Sequence, residues 1–524
     1  MGKALKHRPD SRPTGGAINI KDLVVGIDSS TQSVKVVAWN REGHAVALAR
    51  APIVMSSPQP HWMEQDPEDW WAALRAALEE LWTQIGPERV ASVAIANQRE
   101  TLALLDSQGR ATRPALTWLD ERARDSLETL SREFGAEKLH FITGRPLDLT
   151  PALCRMVWLR QFEPEVYAHT HSFTDVGSYL NLRLSGTLRS SWASCDPLGT
   201  FDIHSRRWSE PILDYLGLRP EQFSQPQQPG TLIGPIHAGA ARETGFLEGT
   251  PLIAGGGDGQ CAALGTGCTA PGRAYVNLGT AIVFGVWSSG AQMDPHWRTL
   301  LSSSGEGYLL ETVQRTGAYL ITWFINTFLE GRAGPETFAA LEREASALPI
   351  GSDGLITLPY FSGCMNPHWD PDARGCLIGL GIGHGRGHIY RSILEGLSLE
   401  TAGAVQAMRG RGIDAQHITA IGGGSSSPLW TQMLADALGQ DLWLSDTQEA
   451  SALGAGMLAA LGVGWFKSSF EAADAMQGEL RRVSSRSHNT PEYARLLELQ
   501  TAVYASNAAH FKTLAQIRRG SVHP

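Results

Sequence analysis

At 524 residues the chain is too long for one ordinary hydrophobic core, so at least two domains are expected. Its 42% apolar and 19% charged residues suit a soluble globular protein, and a net charge of −9 argues against nucleic acid, which needs a clustered basic surface. No apolar run reaches the roughly 18–20 residues that cross a bilayer, residues 1–20 lack the apolar core of a signal peptide, and the six cysteines show no CxxC spacing, so the expectation is a cytoplasmic protein with no membrane partner.

Leu23 to Asn40 holds two β-branched runs, VVGID and VKVVAW, joined by Ser29, Ser30, Thr31, Gln32 and Ser33. That pattern predicts a hairpin, with Asp28 ending its first strand. His44 to Pro52 continues the sheet. Asp66 to Ile85 predicts a helix: Asp66 as N-cap, Pro67 at the first position, and Trp70, Trp71, Leu74, Leu78, Leu81 and Trp82 on one buried face. Val90 to Asn97 predicts a strand running into Gln98-Arg99-Glu100-Thr101, where adjacent opposite charges suit a hydroxylated ligand or a solvated rim equally.

Residues 150–250 read as helices with loops. Ile253 to Trp287 then carries Gly255, Gly256 and Gly257, the acid Asp258, a helix start at Gln260 to Leu264, and a second hairpin from Ala274 to Trp287. Three glycines weaken a strand or helix, so a sharp turn is expected, with Asp258 as the helix N-cap held anionic by the free N–H groups there. Two hairpins about 250 residues apart suggest one ββ unit used once per domain. Further on come a strand at Tyr308 to Arg315, helices at Tyr319 to Leu329 and Ile389 to Met408, and a strand at Ile418 to Ile421. That strand runs into Gly422-Gly-Gly-Ser-Ser-Ser427, followed by helices at Trp430 to Leu438 and Ala450 to Leu461. Strands and helices alternate in both halves, which indicates an α/β protein.

The turn at 422–427 joins a strand to a helix as nucleotide-binding turns do, yet it has no G-x-G-x-x-G order, and the chain has no P-loop. What remains are small-residue turns at strand ends, suited to wrapping phosphates, and two acids, Asp28 and Asp258. Phosphoryl transfer needs those parts: phosphate positioning, a metal, and an acid for the nucleophile's proton.

Over residues 22–505 the chain resembles the FGGY carbohydrate kinases, glycerol kinase and xylulokinase among them, within the actin/Hsp70/hexokinase superfamily. The resemblance rests on GIDSSTQSVKV, HWMEQDPEDWW, GGGD at 255–258, NLGT at 277–280 and GGGSSSPLWTQMLAD. It also rests on the C-terminal signature from Gly375 to Leu380 and, seven residues on, from His388 to Glu395. It implies an actin/Hsp70/hexokinase-like ATPase fold of duplicated ribonuclease H-like domains around an interdomain cleft. The implied division is a tail at 1–21, an N-terminal sugar-binding domain at 22–268, a C-terminal ATP-binding domain at 269–505 and an extension at 506–524.

By that resemblance Asp258 is the catalytic base and also touches substrate. Ser29 to Ser33 and Gly279-Thr280 are phosphate hairpins, Asp28 lies near Mg²⁺, and Gly422, Gly423, Gly424 and Ser427 form the adenosine loop. Ser427 stands where relatives often carry Asn. The implied cofactors are ATP and Mg²⁺, and the implied substrate is a ketopentose such as xylulose. Trp118 and Asp120 match the substrate-side Trp-x-Asp-x-Arg of pentulose kinases, whereas Arg99 and Glu100 match the pair that binds glycerol in glycerol kinases, so a polyol is the alternative. A nucleotide-binding protein without catalysis, like actin, is the alternative from another class, and Asp28, Asp258 and both hairpins weigh against it. Three departures stand out: Gly259 where Asn or Gln follows the base, Arg155 in place of Lys, and no counterpart of the glycerol kinase tyrosine in 149–155. A homo-oligomer is left open.

Overall fold

The computed structural model describes residues 21–329 and 334–520. The expected tail at 1–21 lies outside them apart from Lys21, as do residues 521–524.

Six strands build the first sheet: β1 (Leu23–Ser29), β2 (Ser33–Trp39), β3 (Ala45–Pro52), β4 (Val90–Asn97), β5 (Leu232–Pro235) and β6 (Pro251–Gly257), in the order β5-β6-β4-β1-β2-β3. Strands β6, β4 and β1 are parallel, while β2, β3 and β5 run antiparallel to their neighbours. Helix α1 (Pro67–Trp82) covers one face. Asp66 caps it by accepting from the Glu68 N–H at 2.9 Å, and Trp70, Leu74 and Leu78 are buried beneath it, as the periodicity predicts.

The glycine run differs from its expectation. Gly255, Gly256 and Gly257 form the end of β6 and have no positive φ. Their role is close approach: a Cβ on Gly255 would lie 1.9 Å from the Ile95 carbonyl oxygen of β4, and one on Gly257 2.7 Å from the Arg99 side chain. Helix α2 (Asp258–Gly265) follows with Gly257 as its N-cap, so Asp258 is the first helical residue rather than the cap.

The second sheet holds β7 (Gly272–Leu278), β8 (Ile282–Ser288), β9 (Arg298–Leu301), β10 (Tyr308–Gln314), β11 (Ala415–Ile421), β12 (Leu442–Ser445) and β13 (Leu480–Val483), in the order β9-β10-β8-β7-β11-β12-β13. It repeats the pattern of the first: an antiparallel run, two parallel pairings at β7-β11 and β11-β12, and an antiparallel edge. The same ββ unit thus opens both halves. Around it lie α3 (Pro335–Ser346), α4 (Arg386–Gly410), α5 (Pro428–Leu438), α6 (Ala450–Gly462) and α7 (Thr490–Gly520).

The sheets change over between Gly265 and Gly272, but the helices do not follow the expected division at 268/269. Helix α6 returns to the first sheet, where Ala452, Leu453 and Leu458 pack with Val24, Val37, Ala94 and Ile253. Its approach is backbone to backbone: a Cβ on Gly26 of β1 would sit 1.9 Å from the Ala452 carbonyl oxygen, and one on Gly454 1.9 Å from that of Cys261 in α2. Helix α7 runs unbroken through 505/506, with Phe511 and Ala515 buried, so the expected extension is the end of a helix. A third core draws its residues from between Leu102 and Phe223 and includes Leu301 of β9.

Candidate active site

Because β1, β4 and β6 are parallel neighbours, their carboxyl ends share one edge, with Ser29, Asn97 and Gly257 side by side in register. That edge, where ligands of parallel sheets bind, brings together Asp28, the Arg99-Glu100 pair and Asp258. One oxygen of Asp258, Oδ1, accepts from the Gly259 N–H at 2.7 Å and pairs with Arg99 Nε at 3.1 Å. Oδ2 has no protein partner among the described residues, and the side chain keeps 35% of its exposure. Burial raises the pKa of Asp258 above the ordinary carboxylate value, and Arg99 opposes the rise. The result is a carboxylate with one oxygen clamped and one open.

Asp28 is more enclosed. Its Oδ1 is buried without a hydrogen-bond partner, and burial lifts its pKa to about 7, helped by the negative charges of Asp258 and Glu449 and opposed by Lys35. The turn after it closes by Ser30 N–H and Oγ–H donation to the Ser33 carbonyl, at 3.0 and 2.9 Å. Ser29 and Ser33 are buried, Ser30 and Thr31 half-buried, and Gln32 exposed. Lys35 Nζ stands 2.5 Å from Glu449 at the start of α6. In the second hairpin Gly279 is half-buried and Thr280 exposed. The Gly279 and Thr280 carbonyls accept from the Ala318 and Gly317 N–H groups, which fixes the turn.

Gly422 has φ 85°, and a Cβ there would meet Asn277 Oδ1 at 2.4 Å, so the 422–427 loop is seated on the strand leading into the second hairpin. Gly423 faces open space, while Gly424 lies against the Trp430 ring. Ser427 caps α5 by accepting from the Trp430 N–H at 3.0 Å and donates to Glu342 of α3. Its hydroxyl is therefore taken up on both counts, and what it offers a ligand is its place in the loop.

Of the residues expected to meet substrate, Trp118 donates from Nε1 to Thr31 Oγ1 at 2.9 Å, tying its segment to the first hairpin. Asp120 departs from its expected role. It is fully buried, and its oxygens accept from the Met63 N–H, the Arg122 N–H and the Arg122 guanidinium, which lies 3.6 Å over the Trp62 ring. It holds that loop from behind rather than facing a ligand. Arg99 and Glu100 are buried in ion pairs. Arg99 Nη1 reaches Glu311 at 3.0 Å, and Glu100 pairs with Arg298 at 2.9 Å and with Arg145. Burial works against the Glu100 charge, but Arg298, Arg145 and Arg99 outweigh it and hold the pKa down to about 2. Glu100 has φ 67°, and buried Arg155 donates to its carbonyl at 2.7 Å, fixing that unusual backbone.

The N-terminal domain of the FGGY family of carbohydrate kinases matches residues 23–265, and the C-terminal domain of that family matches residues 274–463. The chain belongs to the FGGY family of carbohydrate kinases. This FGGY kinase is 29% identical over 487 residues to the xylulose kinase of Bacillus subtilis (strain 168), covering 92% of this chain and 96% of that one. It is 30% identical to the xylulose kinase of Escherichia coli (strain K12), with 86% and 92% covered. It is also 31% identical to the glycerol kinase of Aromatoleum aromaticum, with 87% and 93% covered. The crystal structure of xylulose kinase from Rhodospirillum rubrum superposes with a TM-score of 0.86 at 27% identity, over 94% of this chain and all of that one. The two-domain actin/Hsp70-like fold expected from sequence is borne out, and so is a carbohydrate kinase activity.

Five residues of the candidate site were not singled out from sequence. Lys35 and Glu449 flank Asp28; Arg145, Arg298 and Glu311 surround the Arg99-Glu100 pair. A signal exists for Lys35 and Glu311, each the one charge in an apolar strand. Arg145 follows a helix end and carries none.

Proposed function

We propose that this carbohydrate kinase transfers the γ-phosphoryl group of ATP to a primary hydroxyl of a ketopentose, with xylulose the first choice. The observation that carries the reading is the divided Asp258 carboxylate, whose open Oδ2 stands at the same strand edge as Asp28 and the first phosphate-type turn. Oδ2 takes the proton as the hydroxyl oxygen bonds to the γ-phosphorus, the bond to the bridging oxygen breaks, and ADP leaves. The Ser29–Ser33 and Gly279-Thr280 turns hold the phosphates, and the 422–427 loop holds the adenosine.

Asp28 fits a Mg²⁺ ligand, since a buried unpartnered carboxylate oxygen is costly unless something binds it. Among the described residues no group of three or more His, Cys, Asp or Glu could hold a metal by itself, so such an ion would take its other ligands from phosphate and water. When bound, it would neutralise charge on the transferring phosphoryl group. Among the described residues no helix is long and apolar enough to cross a membrane. All six cysteines are free, which suits the reducing cytoplasm in which we place the enzyme.

A polyol is the second reading, favoured by the Gln98-Arg99-Glu100-Thr101 run and by the 31% identical glycerol kinase. The two part in one coupled assay of ADP release against xylulose, ribulose, other ketoses, glycerol and erythritol. Xylulose is expected to give the highest kcat/KM. A best substrate without a ketone overturns the ketopentose assignment.

A further inference from the structure

The Arg99-Glu100 pair comes from the end of β4 in the first sheet, and Arg298 and Glu311 come from β9 and β10 in the second. They pair crosswise. Arg99 of the first lobe binds Glu311 of the second, and Arg298 of the second binds both Glu100 of the first, at 2.9 Å, and Glu311 beside it, at 2.5 Å. Arg145 closes the far end on Glu100. None of these side chains is more than 9% exposed, so the charges are held by one another rather than by water.

Gly259 lies against this cluster. A Cβ there would come within 2.7 Å of Arg99 Nη2, 2.9 Å of its Cζ and 3.0 Å of Glu311 Oε2. The Tyr275 hydroxyl lies 3.1 Å from the Gly259 carbonyl oxygen and 3.3 Å from Glu311 Oε2 and shares its one proton between them, which keeps backbone and carboxylate close. The space a side chain would take next to the base is filled instead by the guanidinium of Arg99. That guanidinium is oriented on two edges: Nε on Asp258 and Nη1 on Glu311. Nη2 has no protein partner among the described residues and is not sealed from solvent.

We propose that Glu311 and Arg298 are positioning residues of the sugar pocket, holding Arg99 against the catalytic base so that Asp258 Oδ2 and Arg99 Nη2 present one acceptor and one donor to neighbouring sugar oxygens. Gly259 is the vacancy that makes this arrangement possible. Arginine can only donate and an ionised carboxylate only accept, so the pair suits a hydroxyl that gives up its proton next to an oxygen that accepts a hydrogen bond. Since Glu311 and Arg298 belong to the second lobe, the pocket is complete only with the lobes apposed. A plain structural weld between lobes would use the same ion pairs but would serve nucleotide and sugar alike.

The inference rests on the kinase reading above, and its test separates the two. Steady-state kinetics and equilibrium sugar binding without nucleotide are measured for wild type, Glu311→Gln and Gly259→Ala, with whichever sugar or polyol the wild type turns over best. An error in the ketopentose assignment then shows in the wild type, and an error in the positioning role only in the variants. Displacements of about 1 Å at a reacting group cost on the order of 10²-fold. Both variants are therefore expected to weaken sugar binding or kcat/KM for sugar by roughly 10- to 100-fold, with the KM for ATP within twofold of wild type. Gly259→Ala keeps every charge, so it carries the test alone if Glu311→Gln does not fold. Sugar constants that stay at wild-type values, or sugar and ATP constants that worsen together, overturn the positioning role.

Discussion

Replacing Gly454 by Ala tests whether α6 sets the position of Asp258, the proposed base. The added Cβ would stand 1.9 Å from the Cys261 carbonyl oxygen and 2.7 Å from its carbon, both backbone atoms of α2, whereas Cβ contacts under 3.0 Å are essentially never seen. The two helices must therefore separate by at least about 1 Å, and α2 cannot yield at Cys261 alone, because helices transmit strain as close-packed units. Asp258 begins the same helix, and its carbonyl accepts from Ser451 of α6 at 3.1 Å. A shift near 1 Å at a reacting group is worth on the order of 10²-fold in rate, or about 2.7 kcal/mol of barrier. Stability supplies a second reading of opposite sign. In a helix interior Ala is favoured over Gly by about 0.5–1 kcal/mol, while overpacking costs about 1–3 kcal/mol. Gly454→Ala is expected to lower kcat for ADP release about 100-fold at saturating sugar and to lower the Tm. A variant with wild-type kcat and an equal or higher Tm refutes the spacer role of α6.

Asp258→Asn keeps the shape of the site and removes the proton acceptor; kcat is expected to fall by about 10²–10⁴ with ATP affinity unchanged by calorimetry, and retained turnover counts against Asp258 as base. Since burial raises the Asp258 pKa, kcat/KM should fall with decreasing pH already above the ordinary carboxylate value. Arg99 opposes that rise, so in Arg99→Met the acid limb of the pH profile should move to higher pH; an unmoved limb shows that the titrating group is another. For Asp28 the folded pKa, about 7, exceeds the ordinary 3.8, so its contribution to stability is present below about pH 4 and is lost as pH rises through 7. Asp28→Asn, measured by thermal unfolding in EDTA, should therefore gain Tm over wild type progressively between pH 4 and pH 8, and a gain that does not depend on pH contradicts the buried, unpaired state of that carboxylate.

Much of this fold was legible because its signals are local. The two β-branched runs in Leu23–Trp39 and the Asp66-Pro67 start of α1 are each read from neighbouring residues, and the structure places them where the pattern does. The glycine run misled because its reason is not local: Gly255 and Gly257 are small to admit Ile95 and Arg99, not to turn the chain. Helix α6 was visible as a helix, but its destination was not, since its partners Val24 and Ile253 lie some 200 to 430 residues earlier. In the site, Asp28, Asp258 and the small-residue turns stood out by chemistry at strand ends. Asp120 matched a motif, yet only its burial against Arg122 shows which way it faces. That Glu311 and Arg298 pair with Arg99 and Glu100 was not legible, because ion pairs between two sheets leave no spacing in the sequence.

The return of α6 to the first sheet also sets an order of assembly. During synthesis that sheet has all its strands once Gly257 has emerged, but the layer over Val24, Val37, Ala94 and Ile253 arrives only after residue 450, about 185 residues past the end of α2. At ~5–20 residues per second the apolar face waits on the order of 10–40 s for its cover. A chain released after residue 449 is expected to bind an apolar dye and to aggregate, although it carries every strand of the sheet and Asp258. The N-terminal half is thus a complete sequence domain and an unfinished folding unit, whose last piece is made only some 185 residues after the helix that begins with Asp258.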